Sequence, residues 1–444
     1  MTLNGPGPSP WSVNYLALEN LRCFSRFSLG LNSVTVLVGR NGSGKTAVLD
    51  GIAAALTPII RAFDGVGPTL KDSDASRYVE DLTSSHSVAA ADAIYPVVAH
   101  VECTVAGRPL SWSMKKTTPR RSASINGSSQ LRQQLRSVTD QVRDWEGKDQ
   151  LLPIIAYYGT ERLVASSRGS SRGVASRFDA YTNALKSRSD LVRMSEYFEA
   201  LSRQIADAYA MQEEPPSAAA AQIDAIRTAC DIVLKPTGWG GLRWNPIVDE
   251  LTLTHYVEGT LPLSWLSTGT QVAAGLAFDL ASRMARANPR RGGKDLLEST
   301  PGIVLIDEID LHLHPAWQQR ILPLLRQAFP GVQFIVTTHS PQVISTVEAA
   351  AVRVIEGDSV RTPAHAEGLR SDVVLREVQG TDPVPEVPIR REVAEYLGLV
   401  FRGEGESSEA LKMRANIESK LGGVGTLEDL AHADAFMALS DLEL

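Results

Sequence analysis

Four short strings hold the residues of this chain that could do chemistry. The first, Gly39-Arg40-Asn41-Gly42-Ser43-Gly44-Lys45-Thr46, fits the pattern G-x-x-x-x-G-K-[ST]. Its glycines let the backbone turn tightly and aim successive N–H groups inward, which makes a nest for anions. Lys45 adds a cation for the β- and γ-phosphates of a nucleotide, and the Thr46 hydroxyl can ligand Mg²⁺. The expected phosphate cradle is Gly39, Arg40, Asn41, Gly42, Ser43, Gly44, Lys45, Thr46 and Ala47. The second string, Leu266-Ser267-Thr268-Gly269, offers a Ser hydroxyl and N–H groups to an anion. In the third, Asp307 is placed to hold Mg²⁺ through water, and Glu308 to orient or deprotonate an attacking water. The fourth, Thr337-Thr338-His339-Ser340, puts His339 where a γ-phosphate sensor belongs.

These residues need strands and helices to carry them. Val34 to Val38 is an apolar, β-branched run that reads as a buried strand ahead of the glycine loop. Val48, Leu49, Ile52, Ala53 and Leu56 recur at helical spacing after it, so the phosphates face a helix N-terminus. Ile303 to Ile306 is fully apolar and ends in the two acids, as a buried parallel strand does. Ligands sit at the carboxyl ends of such strands. Another apolar strand, Phe334-Ile335-Val336, follows one helix later. That intervening helix, Ala316 to Ala328, contains Pro323, and a kink is expected there. The Ser267 string precedes Val272, Leu276, Leu280 and Met284, so it starts a helix.

Taken together the four strings resemble those of ATP-binding-cassette ATPases, in the RecF/SMC/OLD branch rather than the transporter branch. The resemblance implies an α/β fold: a P-loop ATPase head with a mixed central sheet, a β-rich N-terminal subdomain and a helical insertion. It implies that Ser267 and Gly269 clamp the γ-phosphate of ATP held by a second copy, and that Asp310 lies on a loop crossing the dimer interface. The chain has Thr268 and Thr270 where Leu-Ser-Gly-Gly-Gln would have other residues.

A narrower resemblance covers most of residues 11 to 380. Ile154-Ile155-Ala156-Tyr157-Tyr158-Gly159-Thr160-Glu161-Arg162-Leu163 and the run Ile306 to Gln318 are similar to segments of bacterial defence ATPases of the PtuA type, from Septu and some retrons. The implied role is a switch controlling a small HNH nuclease of the PtuB kind. On the same footing Arg162 reaches the nucleotide; otherwise it caps a surface turn. The alternative function is a RecF-like repair ATPase that clamps DNA itself.

Composition sets further bounds. With 444 residues, 43 % of them hydrophobic, the chain has core enough for two lobes. No run of 18 apolar residues occurs, so no membrane span is expected. Residues 1–10 read as a loose leader without signal-peptide features. Cys23, Cys103 and Cys230 are too widely spaced for a disulfide framework or a zinc site, which suggests the cytoplasm. Net charge is −7, yet Arg108 to Arg203 holds 17 Lys/Arg against 9 Asp/Glu. Such a segment either neutralises DNA or RNA phosphates or is an ordinary solvated face.

The expected layout is an N-terminal lobe at 11–160, a mainly helical basic insertion at 161–250, a C-terminal lobe at 251–362 and an acidic helical extension at 363–444. No sustained heptads appear, so no long coiled-coil arm is expected. After His339 there is neither a Toprim-like set of acids nor an HNH-like set of histidines. His312 and His314, beside Asp310, fit the interface loop better than a metal pair.

Overall fold

The computed structural model describes residues 9–77, 93–143, 150–161, 176–186, 191–421 and 428–440. The chain divides into two units, residues 1–379 and 380–444.

The first unit begins with β1 (Trp11–Leu21), β2 (Phe24–Gly30), β3 (Val34–Val38) and α1 (Lys45–Ala62). Next come β4 (Val97–Val105), β5 (Arg108–Lys116), β6 (Ser124–Asn126), α2 (Ser129–Arg143) and β7 (Ile154–Tyr158). A helical pair, α3 (Leu191–Ala210) and α4 (Ser217–Leu234), leads to β8 (Trp239–Asn245), β9 (Glu250–His255) and β10 (Gly259–Pro262). Then follow α5 (Thr268–Ala287), α6 (Gly293–Ser299), β11 (Gly302–Ile306), α7 (Pro315–Ala328) and β12 (Val332–Thr337). The unit closes with α8 (Pro341–Ile344), β13 (Val352–Glu356), β14 (Ser359–Arg361) and α9 (Ser371–Val373).

The central sheet has the order β14-β13-β3-β12-β11-β7. Every pairing in it is parallel except that of β13 with β14. All residues of β3, β7, β11 and β12 are buried, which is why these strands are runs of Val, Ile and Leu without polar alternation. The register aligns their carboxyl ends: Leu37 pairs with Thr337, Val336 with Ile306, and Ile306 with Tyr158. Three of the four chemical strings thus leave one edge of one sheet.

A second, antiparallel sheet has the order β2-β1-β4-β5-β6. It has an alternating pattern, with Val97, Ala99, Val101, Cys103 and Val105 of β4 buried. Helix α1 packs against both sheets, and Trp112 Nε1 of β5 donates to Ala55 O on it at 2.8 Å. The third sheet, β10-β9-β8, leads straight into the Ser267 string.

Pro323 lies inside α7, as expected, and on its exposed face. The second unit begins at Gly380, and Val374 and Val378, within the expected acidic extension, belong to the main core. Residues 1–8 of the expected leader lie outside the described residues. No helix among the described residues is long and apolar enough to cross a membrane.

The second unit consists of α10 (Pro388–Phe401), α11 (Ser408–Leu421) and α12 (Glu428–Ser440). They share a core of Val393, Tyr396, Leu399, Val400, Ala410, Ile417, Leu430 and Ala433.

Leu305, fully buried in β11, tests the central sheet as the main core. Leu305→Ala should cost about 2–5 kcal/mol, read as a lower urea midpoint for the full chain. An unchanged midpoint would contradict that assignment.

Candidate functional site

The glycine loop occupies the turn from β3 into α1. Gly42 and Gly44 have φ of 79° and 94°, in the left-handed region that favours glycine. Gly44 has a second reason: a Cβ there would lie 2.3 Å from the Phe24 ring and 2.6 Å from Cys23 Sγ. Lys45 folds back over the loop, its Nζ donating to Gly39 O at 2.9 Å and Arg40 O at 3.1 Å. Ser43 Oγ is buried with no hydrogen-bond partner. An ammonium resting on two carbonyls of the glycine loop can turn to an anion held there.

Asp307 fastens the site. Thr46 Oγ1, at the start of α1, donates to Asp307 Oδ2 at 2.9 Å. Thr337 Oγ1, at the end of β12, donates to Asp307 Oδ1 at 2.6 Å. The same Thr337 hydroxyl accepts from Glu308 N at 2.7 Å, while Ile309 N donates to Thr337 O at 3.0 Å. These bonds hold Glu308 at φ 48°, an unusual conformation for a residue with a Cβ. Backbone in this region fixes where the carboxylate can point. Thr46 with Asp307 makes an oxygen pair suited to Mg²⁺.

The next loop is fixed as firmly. Thr338 Oγ1 donates to Asp310 Oδ1 at 2.5 Å and accepts from Ser340 N at 2.9 Å. Ser340 Oγ donates to Gln318 Oε1 at 2.7 Å, and Gln318 Nε2 donates to Leu313 O at 2.9 Å. Gln379 Nε2 donates to His339 O at 2.9 Å. Burial, and then the Lys45 charge, pull the His339 imidazole below its ordinary pKa, against Asp310, Glu308 and Asp307. Burial likewise lowers Lys45, opposed by the three carboxylates. These mutual influences place Lys45, Asp307, Glu308, Asp310 and His339 in one electrostatic cluster.

Ser267 caps α5, accepting from Thr270 N at 3.4 Å. Its string meets the loop after Glu308: a Cβ on Gly269 would lie 2.7 Å from His312 O. Ser267, Thr268 and Gly269 line a cleft of about 640 Å³ with His312, His314, Trp317 and Arg320, and none of Gly39 to Ala47 lines it. Within one chain, therefore, the glycine loop does not line the Ser267 cleft.

Residues that sequence reasoning passed over complete the frame. Adjacent positions on a strand face opposite ways. Tyr157 OH donates to Asp50 Oδ1 on α1 at 3.0 Å, and Tyr158 OH donates to Asp279 Oδ2 on α5 at 2.5 Å. Burial, aided by those carboxylates, raises both phenols far above the usual range. Arg283 Nε joins Asp279 at 2.8 Å, and Arg22 joins Asp50 at 2.6 Å. The signal was the doubled tyrosine in an otherwise aliphatic strand.

Arg162 lies outside the described residues, as do Arg168 and Arg172. Within the basic segment Lys116 pairs with Asp72 at 3.1 Å. Arg177 binds the carbonyls of Ala287 and Gln150, so both it and Lys116 are structural. Arg120, Arg121, Arg132 and Arg136 are exposed.

Comparison with known proteins gives relatives of one kind. Residues 141–345 match the family described as "AAA domain, putative AbiEii toxin, Type IV TA system", and residues 15–228 match "AAA domain". The Retron Ec83 probable ATPase of Escherichia coli is 38 % identical over 165 residues, which is 37 % of this chain and 30 % of that protein. The Retron Vc95 probable ATPase of Vibrio cholerae is 24 % identical over 389 residues, 77 % of this chain and 72 % of that protein. Septu protein PtuA of Bacillus thuringiensis is 35 % identical over 95 residues, 21 % of this chain and 23 % of that protein. Among solved structures, the SMC head domain from Thermotoga maritima is 16 % identical with a TM-score of 0.41, covering 78 % of this chain and 97 % of that one.

His339 offers a pH test. Its folded pKa lies below the ordinary value of about 6.5. The unfolded chain therefore takes up that proton first, and acidification through this window costs stability. In an NMR titration of the free protein, His339 should titrate below about 6.5 and move upward with Mg·ATP, whose negative charge favours imidazolium. A free-protein midpoint at or above that value would contradict the placement.

Proposed function

We propose, from the premise that this chain is an AAA/ABC-type ATPase related to the retron ATPases and Septu PtuA, that it is the ATP-driven switch of an anti-phage defence complex. ATP and Mg²⁺ are the ligands of the cradle, and the metal supplies charge stabilisation at the transferred phosphoryl group. Lys45 and the loop N–H groups bind phosphate, and Thr46 and Asp307 hold Mg²⁺. Glu308 orients and deprotonates the attacking water, and His339 senses the γ-phosphate. Ser267 and Gly269 complete the site of a second copy, with Asp310 on the loop between them. The single observation that carries this reading is Asp307, bound by Thr46 on one side and Thr337 on the other, with Glu308 next in line. Support for completion by a second copy comes from the Ser267 cleft, whose lining excludes the chain's own glycine loop.

A ligand that bridges two chains adds interface energy that hydrolysis removes. In this proposal the closing and opening dimer controls a separate, small HNH-type nuclease. The three free thiols fit a reducing, cytoplasmic setting. A second reading, a RecF-like ATPase that clamps DNA directly, draws on Arg132 and Arg136, exposed one turn apart on α2. Salt-sensitive, ATP-dependent DNA binding that is lost in Arg132→Glu/Arg136→Glu would favour it.

Glu308→Gln should lower ATP turnover by about 10²-fold or more while leaving ATP binding intact. Sedimentation with Mg·ATP should then show a persistent dimer. Turnover at the wild-type rate would remove Glu308 from its assigned role.

A further inference from the structure

Trp265 stands two residues before Ser267 and is 74 % exposed. Single exposed apolar residues are common and need no explanation. This one differs in how firmly it is presented. It ends a short 3₁₀ turn, Leu263–Trp265, in which Leu266 N donates to Leu263 O at 3.2 Å. Ser264 N and Oγ donate to the two carboxylate oxygens of Glu250, at 2.7 and 2.9 Å. Gln271 Nε2 reaches back from α5 to Ser264 O at 3.0 Å and Leu266 O at 2.8 Å. Leu266 is buried beneath. Both sides of Trp265 are therefore pinned while its indole projects into water.

The glycine loop has the opposite character. Its exposed side chains are Arg40, Asn41 and Thr46, which serve phosphate and metal. The aromatic ring nearest it, Phe24, is fully buried under Gly44. Among the described residues of the first unit, the exposed aromatics are Tyr209, Tyr256 and Trp265. Tyr209 lies at the end of α3 and Tyr256 in the β9–β10 turn, so Trp265 alone adjoins a phosphate-directed string.

We propose that Trp265 is the purine-stacking residue of the composite site, lying on the adenine of the ATP held by a second copy. The inference rests on the trans-clamp reading given above: if Ser267 meets the partner's γ-phosphate, the segment just before it extends over the same nucleotide. Stacking on an aromatic face is worth about 1–3 kcal/mol per base, and a two-ring purine offers more contact area than a pyrimidine. The chain then reads phosphate in one copy and base from the other. The rival occupant of Trp265 is an apolar surface of the second copy, since Ile247 and Val248 are exposed in the β8–β9 turn, at the end of the sheet where Glu250 holds Ser264.

The test uses the full chain carrying Glu308→Gln, with dimer formation followed by sedimentation over a range of Mg·ATP or Mg·CTP. Trp265→Ala should raise the ATP midpoint about tenfold, the size of a lost base stack, and should raise the CTP midpoint by less, so that the preference for ATP over CTP falls. Trp265→Phe keeps a stacking face, so it should restore the preference while abolishing any ATP-dependent quench of tryptophan emission. Equal rises for ATP and CTP in Trp265→Ala would assign Trp265 to a protein contact and overturn the proposal. An unchanged ATP midpoint would overturn it too, with the dimer reading left standing. Failure of ATP to dimerise the Trp265-containing protein would overturn the dimer reading and this inference with it.

Discussion

The carboxylate of Asp307 is the constraint on which the site depends. It accepts one hydroxyl from the start of α1 and another from the end of β12, while its own backbone continues β11. A charged acceptor makes each of these bonds stronger than a neutral pair would. The arrangement is possible only if β3, β12 and β11 lie side by side with carboxyl ends in register, as they do. The same seam sets the unusual backbone of Glu308 through Thr337. Moving any of the three strand ends would therefore disturb the glycine loop, the Thr46–Asp307 pair and Glu308 at once.

Strand β7 extends this frame to the helix that starts at Ser267. Asp307 N donates to Tyr158 O at 2.8 Å, so the strand of the doubled tyrosine is bonded directly to the site. Tyr157 holds α1 and Tyr158 holds α5. The Asp279–Arg283 pair is fully buried, where charges persist only if paired and hydrogen-bonded. Arg283 Nη1 meets that demand by donating to Ala180 O at 2.6 Å. Helix α1, which follows the glycine loop, and helix α5, which follows Ser267, are thus joined through adjacent residues of β7.

Much of this was legible in the sequence because local rules and global fold agree there. The apolar runs at Val34, Ile303 and Phe334 each end in the residue type that the sheet edge needs, and all are strands. The glycine string announced a tight turn ahead of a helix, and the Ser267 string announced a helix start. The partners of these residues were harder to read. Nothing local says that Thr337, two residues before His339, binds Asp307, or that Gln318 braces Ser340, because those bonds join residues about 20 to 30 positions apart. Arg177 and Lys116 looked like free basic charge in the sequence, yet each is spent on carbonyls or a carboxylate after folding. The exposure of Trp265 was equally invisible, since a Trp before an amphipathic helix more often fills a core.

The central claim is that each site is built from two chains, and mixing two inactive variants tests it most directly. Lys45→Ala removes the phosphate cation, and Ser267→Arg blocks the clamp. If the site is composite, each variant alone is inactive. Their equimolar mixture then recovers about a quarter of wild-type ATP turnover, because half the dimers are mixed and each of those keeps one intact site. A mixture as inactive as its components would contradict a site shared between chains, and would place Ser267 with the nucleotide of its own copy or with none.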